Sequence, residues 1–106
     1  MAKYLVTANY SAEGIKAVQK SGGTSRSDAV RSAVEGMGGT VESFHFAFGD
    51  TDAFVLIDMP DNISTAALAL AVSATGLAAV RVIVLLTPAE IDDAIKWQVD
   101  YTPPGG

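Results

Sequence analysis

The stretch FHFAFGDTDAFVLID, residues 44–58, gives the clearest indication of how this chain folds. Two apolar runs flank the polar segment Gly49–Asp52, and each run has the alternation typical of a β-strand. Gly, Asp and Thr are favoured in tight turns, so the pattern predicts a β-hairpin with strands at residues 40–48 and 53–59. On the first strand one face is predicted to carry Phe44, Phe46 and Phe48, and the other Ser43, His45 and Ala47.

The residues on the N-terminal side of the hairpin predict one strand and two helices. AKYLVTANY, residues 2–10, alternates as a strand, and Ser11 is placed to cap the helix that follows. SGGTS, residues 21–25, breaks this helix before a second one begins. Ser25 and Asp28 have the spacing of a capping box at that second start.

The residues on the C-terminal side predict a helix, a strand and a last helix. STAALALAVSATG, residues 64–76, is almost wholly apolar and indicates a helix. AAVRVIVLL, residues 78–86, indicates a strand in which Arg81 is the single polar residue. TPAE, residues 87–90, combines an N-cap threonine, a proline at the first helical position and a glutamate three residues after the cap. The inner side of this helix is predicted to carry Ile91, Ala94 and Ile95.

With the two N-terminal helical segments counted as one element, the resulting order is strand, helix, strand, strand, helix, strand, followed by a C-terminal helix. It predicts an α+β fold of the ferredoxin-like βαββαβ type, an antiparallel four-stranded sheet with helices on one face. Residues 1–97 are predicted to form one domain and residues 98–106 a tail. The last two strands are apolar on both sides, so we expect another copy of the chain to cover the second face, with a homodimer as the minimum.

Composition excludes several classes of function. The 106 residues carry a net charge of −5, which disfavours nucleic acid as a partner. Without cysteine and with a single histidine, the chain has no disulfide and no recognisable metal or Ser-His-Asp constellation, and no cofactor is implied. No apolar segment resembles a signal peptide or a membrane span, so we expect a cytoplasmic protein that does not bind membranes.

The first candidate site combines His45 with Arg81. Because His45 alternates with the phenylalanines, it is predicted to face the second sheet surface together with Arg81. One hypothesis is a pocket for a small anion or carboxylate, with His45 as general acid or base and Arg81 as a bidentate clamp. The alternative is a neutral histidine that is hydrogen-bonded at a subunit interface.

The second candidate site is the glycine-rich loop between the first two helices. Two glycines and two hydroxyl residues at a helix start can offer free backbone amides to an anion, and an arginine would reinforce this site. The alternative is a helix break with ordinary capping. The predicted ligand-binding residues are Gly22, Gly23, Thr24, Ser25 and Arg26.

The third candidate site consists of Asp50 and Asp52 in the hairpin turn. These carboxylates could bind a cation or accept a proton at a cavity mouth. No third ligand is near them in the sequence, which is weak support for a metal site. The interpretation that we favour is structural, because aspartates accept hydrogen bonds from turn amides.

Five segments resemble the GYD domain family, small bacterial and archaeal proteins with dimeric α/β-barrel folds. The family's glycine-tyrosine-aspartate signature corresponds to Gly49, Thr51 and Asp52, so threonine stands at the tyrosine position. The resemblance implies a ferredoxin-like fold and a dimer. The five segments are KYLVTANYSAEGIKAV, GGTSRSDAV, FAFGDTDAFVLIDMPDN, ALALAVSATG together with VLLTPAEID, and VDYTPPG.

Three functions agree with these features. The first is an oligomeric module that binds a small anionic or apolar metabolite. The second is a cofactor-free enzyme, because the dimeric α/β-barrel class that the chain resembles includes monooxygenases and isomerases with a pocket histidine, here His45. The third is a purely structural assembly protein.

Overall fold

Alternating strands build one antiparallel sheet, whose strand order is β2-β3-β1-β4. The computed structural model describes all 106 residues. This topology confirms the predicted ferredoxin-like α+β fold. The strands are β1 (Ala2–Tyr10), β2 (Thr40–Phe46), β3 (Ala53–Met59) and β4 (Ala78–Leu85). The helices are α1 (Ala12–Ser21), α2 (Gly23–Gly36), α3 (Asn62–Ser73) and α4 (Pro88–Ile95).

The core lies between the sheet and helices α1 to α3. Every second residue of the strands points into it, and removing each large apolar side chain from water contributes about 1.5–3 kcal/mol. The hydroxyl of the buried Tyr4 donates a hydrogen bond to Oδ1 of Asn62, which ties β1 to the start of α3. The most deeply buried side chains are Tyr4, Val34, Ile57, Met59 and Thr65.

A β-bulge in β2 keeps the core face of this strand continuous. Val41 pairs with Ile57 and Ser43 pairs with Leu56, so Glu42 is the extra residue. A bulge shifts the alternation by one position, which places Val41 and Phe44 on the same face although they are three residues apart. The alternation pattern alone does not reveal this shift.

The hairpin is confirmed, but its first strand is shorter than predicted. β2 ends at Phe46, and Phe48 is fully exposed in the connection rather than packed beneath the helices. The connection is held against β1 instead, since Nδ2 of Asn9 donates to the carbonyl of Asp50 and the N–H of Asp52 donates to the carbonyl of Ala8. The predicted face of three phenylalanines is therefore wrong at its last member.

A single residue, Gly22, separates α1 from α2. Its φ of 92° lies in the region that favours glycine, and its N–H donates to the carbonyl of Val18. The predicted cap at Ser11 is confirmed, because its hydroxyl accepts a hydrogen bond from the N–H of Gly14 at 3.1 Å. The predicted capping box at Ser25 is wrong, since α2 already begins at Gly23.

The C-terminal helix is confirmed, together with both hydrogen bonds of its capping box. It does not pack on the rest of the chain, however. Every residue from 86 to 106 is exposed, and Ile95 keeps 74% of its surface accessible. The predicted inner side of α4 is therefore in solvent in a single chain, and we name residues 86–106 the C-terminal arm.

The second face of the sheet, which we name the open face, is not covered by any helix. Phe54 and Ile83 lie on it with 39% and 47% of their surfaces exposed. Leu5, Leu56 and Leu85 are half-buried on the same face. On β3 and β4 the predicted apolar residues of this face are thus in place, and they share the face with polar residues such as Lys3, Thr7 and Arg81. None of the helices combines the length and the hydrophobicity needed to cross a lipid bilayer.

Candidate ligand-binding cleft

A cavity lies between the helices above one end of the sheet. Helix α2 packs over β2 at one edge of the sheet and α3 packs over β4 at the other. The cleft between them has a volume of about 380 Å³, within the range of natural small-molecule sites. Tyr10 and Ala78, which are paired across β1 and β4, contribute to its floor. Its apolar walls include Ala17, Val18, Ala29, Ala33, Leu68, Ala71 and Val72.

Small side chains and a fixed helix position keep this cleft open. Several wall positions are alanines, whose side chains end at Cβ and do not fill the space between helices. Helix α1 is also held in place at its first turn, because the N–H of Ser11 donates to the carbonyl of Leu77 at 2.9 Å. Gly14 lies against the same carbonyl, and a Cβ at this position would be 2.0 Å from the oxygen. The first turn of α1 therefore packs against Leu77, the residue that precedes β4.

Arg26 is the one charged residue that lines the cleft. It also borders a deeper apolar space of about 50 Å³. Its Nε is buried without a hydrogen-bond partner, and none of the ion pairs in the chain includes this residue. The guanidinium carbon lies 6.0 Å from the centre of the Tyr10 ring, which offers a weak cation–π contact. A residue that lines an apolar cleft thus retains unused hydrogen-bonding capacity.

Tyr10 is positioned by the hairpin and by the glycine-rich loop. Its backbone N–H donates to Oδ2 of Asp52 at 2.8 Å. Its ring lies 6.5 Å from the ring of Phe46. Phe46 in turn fills the space beside Gly23, where a Cβ would lie 3.1 Å from the phenylalanine ring. The turn and the loop, predicted as separate sites, are therefore connected through the aromatic residue that faces Arg26.

The structure divides the predicted loop residues into two groups. Ser25 and Arg26 line the cleft. The other three do not, because Gly22 forms the helix break, Gly23 packs on Phe46, and Thr24 is exposed. The chemistry of the loop is thus concentrated in one arginine side chain.

His45 and Arg81 share a row across the open face, but a single chain does not bring them together. His45 is opposite Phe54, Phe54 is opposite Thr7, and Thr7 is opposite Arg81. Three strand spacings, about 14 Å, separate the two ends of this row. Both residues are exposed and lie on the sheet face opposite the cleft. A pocket that uses both of them remains a prediction.

The two predicted carboxylates of the turn have different surroundings. Asp50 is exposed, and it is its backbone carbonyl that accepts a hydrogen bond from Asn9. Asp52 uses its carboxylate for the backbone of Tyr10 rather than for an amide of its own turn. No group of three or more His, Cys, Asp or Glu side chains is gathered anywhere in the chain.

Two groups with shifted pKa values lie outside the cleft. The hydrogen bond from the backbone N–H of Ser64 lowers the pKa of Asp61, the N-cap of α3. The pKa of Lys3 is raised, chiefly by its hydrogen bond to Glu42 and further by Asp58. The exposed Asp61 stabilises the start of α3, and the half-buried Lys3 stabilises one end of the open face.

Sequence reasoning did not identify the residues that surround Arg26. Tyr10 comes from β1, and Leu68 and Val72 come from α3. Their alternation or helical spacing is the same as that of ordinary core residues. Tyr10 alone could have been recognised as a candidate site residue, because it is aromatic, carries a hydroxyl group and directly precedes the helix cap Ser11.

The fold and the cleft define an α+β protein of ferredoxin-like topology with a ligand-sized cavity between its helices and its sheet. The sequence matches the GYD domain over residues 4–95, and the chain therefore belongs to the GYD domain family. No curated protein and no solved structure matches it significantly.

Proposed function

We propose that this GYD-domain protein is a homo-oligomeric module that binds a small metabolite in the cleft between its helices. The observation that carries the proposal is Arg26, which lines a cavity of about 380 Å³ and whose buried Nε has no hydrogen-bond partner. A buried donor without a partner costs the protein its desolvation free energy, and a charged group costs more than a neutral one. A ligand that accepts hydrogen bonds from Arg26 would offset this cost.

Assembly forms the second part of the proposal. The open face of four strands of seven to nine residues has an area of roughly 500 Å². This is of the same order as the roughly 800 Å² that each partner contributes to a typical stable interface. The C-terminal arm adds Ile95, Trp97 and Tyr101, each with at least 70% of its surface exposed. A second copy of the chain would cover both surfaces.

Alanine-methyl NMR tests the binding proposal directly, because Ala17, Ala29 and Ala71 line the cleft and Ala79 lies on the open face. The protein is screened with a library of small aliphatic and single-ring acids, amides and alcohols. We expect at least one compound to shift the cleft methyl signals and to leave that of Ala79 in place.

Filling the cleft provides the control. Ala71→Phe should remove these shifts, whereas Ala67→Phe, at an exposed position of the same helix outside the cleft, should keep them. The proposal is overturned if no compound moves the cleft signals of the folded protein. In that case the cavity is a packing gap, and the structural assembly function is favoured.

The cofactor-free enzyme remains the alternative hypothesis. Its supporting observation is the shared row of His45 and Arg81 on the open face, because a second copy packed there would enclose both residues. Turnover of some substrate that is lost in His45→Ala and retained in Arg26→Met would favour this function over binding in the cleft.

A further inference from the structure

We infer that the ligand of the cleft is an amphipathic monocarboxylate, an organic acid with one carboxylate head and an apolar aliphatic or single-ring body. The inference rests on the proposed function and names the chemical class of its ligand. Three features carry it: the charge of the cleft, the geometry of the free donor, and the nature of the walls.

The single positive charge in the cleft favours a ligand with a single negative charge. Arg26 is the one charged residue among the residues that line the two spaces, and no acidic residue accompanies it. A monoanion neutralises one guanidinium. A phosphate dianion would leave one charge uncompensated in an apolar cavity, and a neutral ligand would leave the arginine itself uncompensated.

The geometry of the free donor selects a carboxylate. The buried donor is Nε, whose N–H is parallel to one N–H of the adjacent terminal nitrogen. This side of a guanidinium matches the two oxygens of a carboxylate, which accept two parallel hydrogen bonds. A lysine would supply the charge as a single point without this match.

The walls select an apolar body. Ten of the 15 residues that line the cleft are hydrophobic, and the deeper space beyond Arg26 is lined by hydrophobic residues in 12 of 13 cases. Removing the apolar part of a ligand from water against such walls contributes about 25 cal/mol for each Å² buried. The serine and threonine residues of the lining, Ser21, Ser25 and Thr75, are exposed and can contact solvent or an additional polar group of the ligand.

The test compares octanoate with octanamide, which have the same chain and differ in the charge of the head group. Binding is followed through the methyl signals of Ala17, Ala29 and Ala71, with Ala79 reporting on the open face. We expect octanoate to bind the cleft at least about ten-fold more tightly than octanamide, the gain that charge-assisted bidentate hydrogen bonds provide.

Variants of Arg26 locate the source of this preference. In Arg26→Met the preference for octanoate should disappear, and in Arg26→Lys it should be reduced. Lys20→Met changes the net charge of the protein by the same amount at an exposed position outside the cleft, and it should keep the preference. Octyl phosphate should bind more weakly than octanoate.

The outcomes separate the ligand class from the function. Equal binding of octanoate and octanamide, or a preference that survives in Arg26→Met, overturns the monocarboxylate inference while leaving binding in the cleft intact. If octanoate leaves the cleft signals unchanged, the inference is also wrong. The proposed function then stands only if a neutral compound of the screen moves those signals, and it fails if none does.

Discussion

The two faces of the sheet are formed by the same strands but differ in how far their side chains are buried. In β3, Ile57 is 1% exposed beneath the helices, while Phe54 on the other face keeps 39% of its surface accessible. Both positions belong to one alternating apolar run, so the run by itself does not tell them apart. A strand can therefore carry apolar residues on both faces although the helices of the chain cover only one of them.

Shortening an isoleucine should affect the two faces very differently. Ile57→Ala should lower the free energy of unfolding by about 2–5 kcal/mol, because it leaves a cavity beneath the helices. Ile83→Ala, the matched change on the open face, should lower it much less at dilute protein concentration. Urea unfolding at two protein concentrations measures both effects. Equal losses would show that the open face is as well packed as the core.

Adding a methyl group at Gly14 should test how tightly α1 packs against the backbone of Leu77 on the covered face. Gly14→Ala places Cβ against the carbonyl of Leu77, and such overpacking costs about 1–3 kcal/mol. Gly36→Ala is the matched control, since nothing lies within 4 Å of its Cβ position and an alanine inside a helix gains about 0.5–1 kcal/mol over glycine. Thermal unfolding should therefore move in opposite directions for the two variants, and a common direction would contradict this.

A charge on the open face should weaken self-association without unfolding the chain. Ile83→Lys places an ammonium group on the surface that, in our proposal, a second copy covers. We expect the dissociation constant of the oligomer to rise at least about ten-fold. Sedimentation equilibrium measures the effect. Gln19→Lys makes the same charge change on exposed α1 and should leave association unaltered. A wild-type protein that is monomeric at micromolar concentration would refute the assembly proposal.

The smallest predicted effect concerns the acid stability of α3 on the covered face. The lowered pKa of Asp61 means that the stabilisation from its carboxylate is present above the ordinary value of 3.8 and is lost as the pH falls through the lowered pKa. Asp61→Asn still offers a side-chain oxygen as N-cap but does not titrate. Its urea midpoint should therefore fall less than that of the wild type between pH 5 and pH 2. Parallel pH profiles would exclude this role for Asp61.

Local features of the fold were predictable from the sequence. The caps at Ser11 and Thr87 and the hairpin depend on groups that lie within a few residues of one another, and the structure confirms them. The end of β2 was not predictable, because the hydrogen bonds of Asn9 and Asp52 that hold the connection join it to β1, a distant segment. Phe48 is exposed for this reason.

The candidate site likewise combines a feature that was predictable from the sequence with contacts that were not. The glycine-rich loop directed attention to Arg26, since a cation near a helix start can bind an anion. The sequence did not indicate that Arg26 would face Tyr10 and α3, whereas Thr24, two residues earlier, faces solvent.

The order of the elements, the caps at Ser11 and Thr87, the hairpin and the apolar residues on both sides of β3 and β4 were predictable from the sequence, because each depends on side-chain spacing or on contacts between near neighbours. The packing of α2 and α3 over opposite edges of the sheet, which leaves a cavity lined by Arg26, was visible only in the folded chain. The physical reason is that the volume between two helices depends on how segments far apart in the chain are seated on the sheet, here through contacts such as that of Gly14 with Leu77.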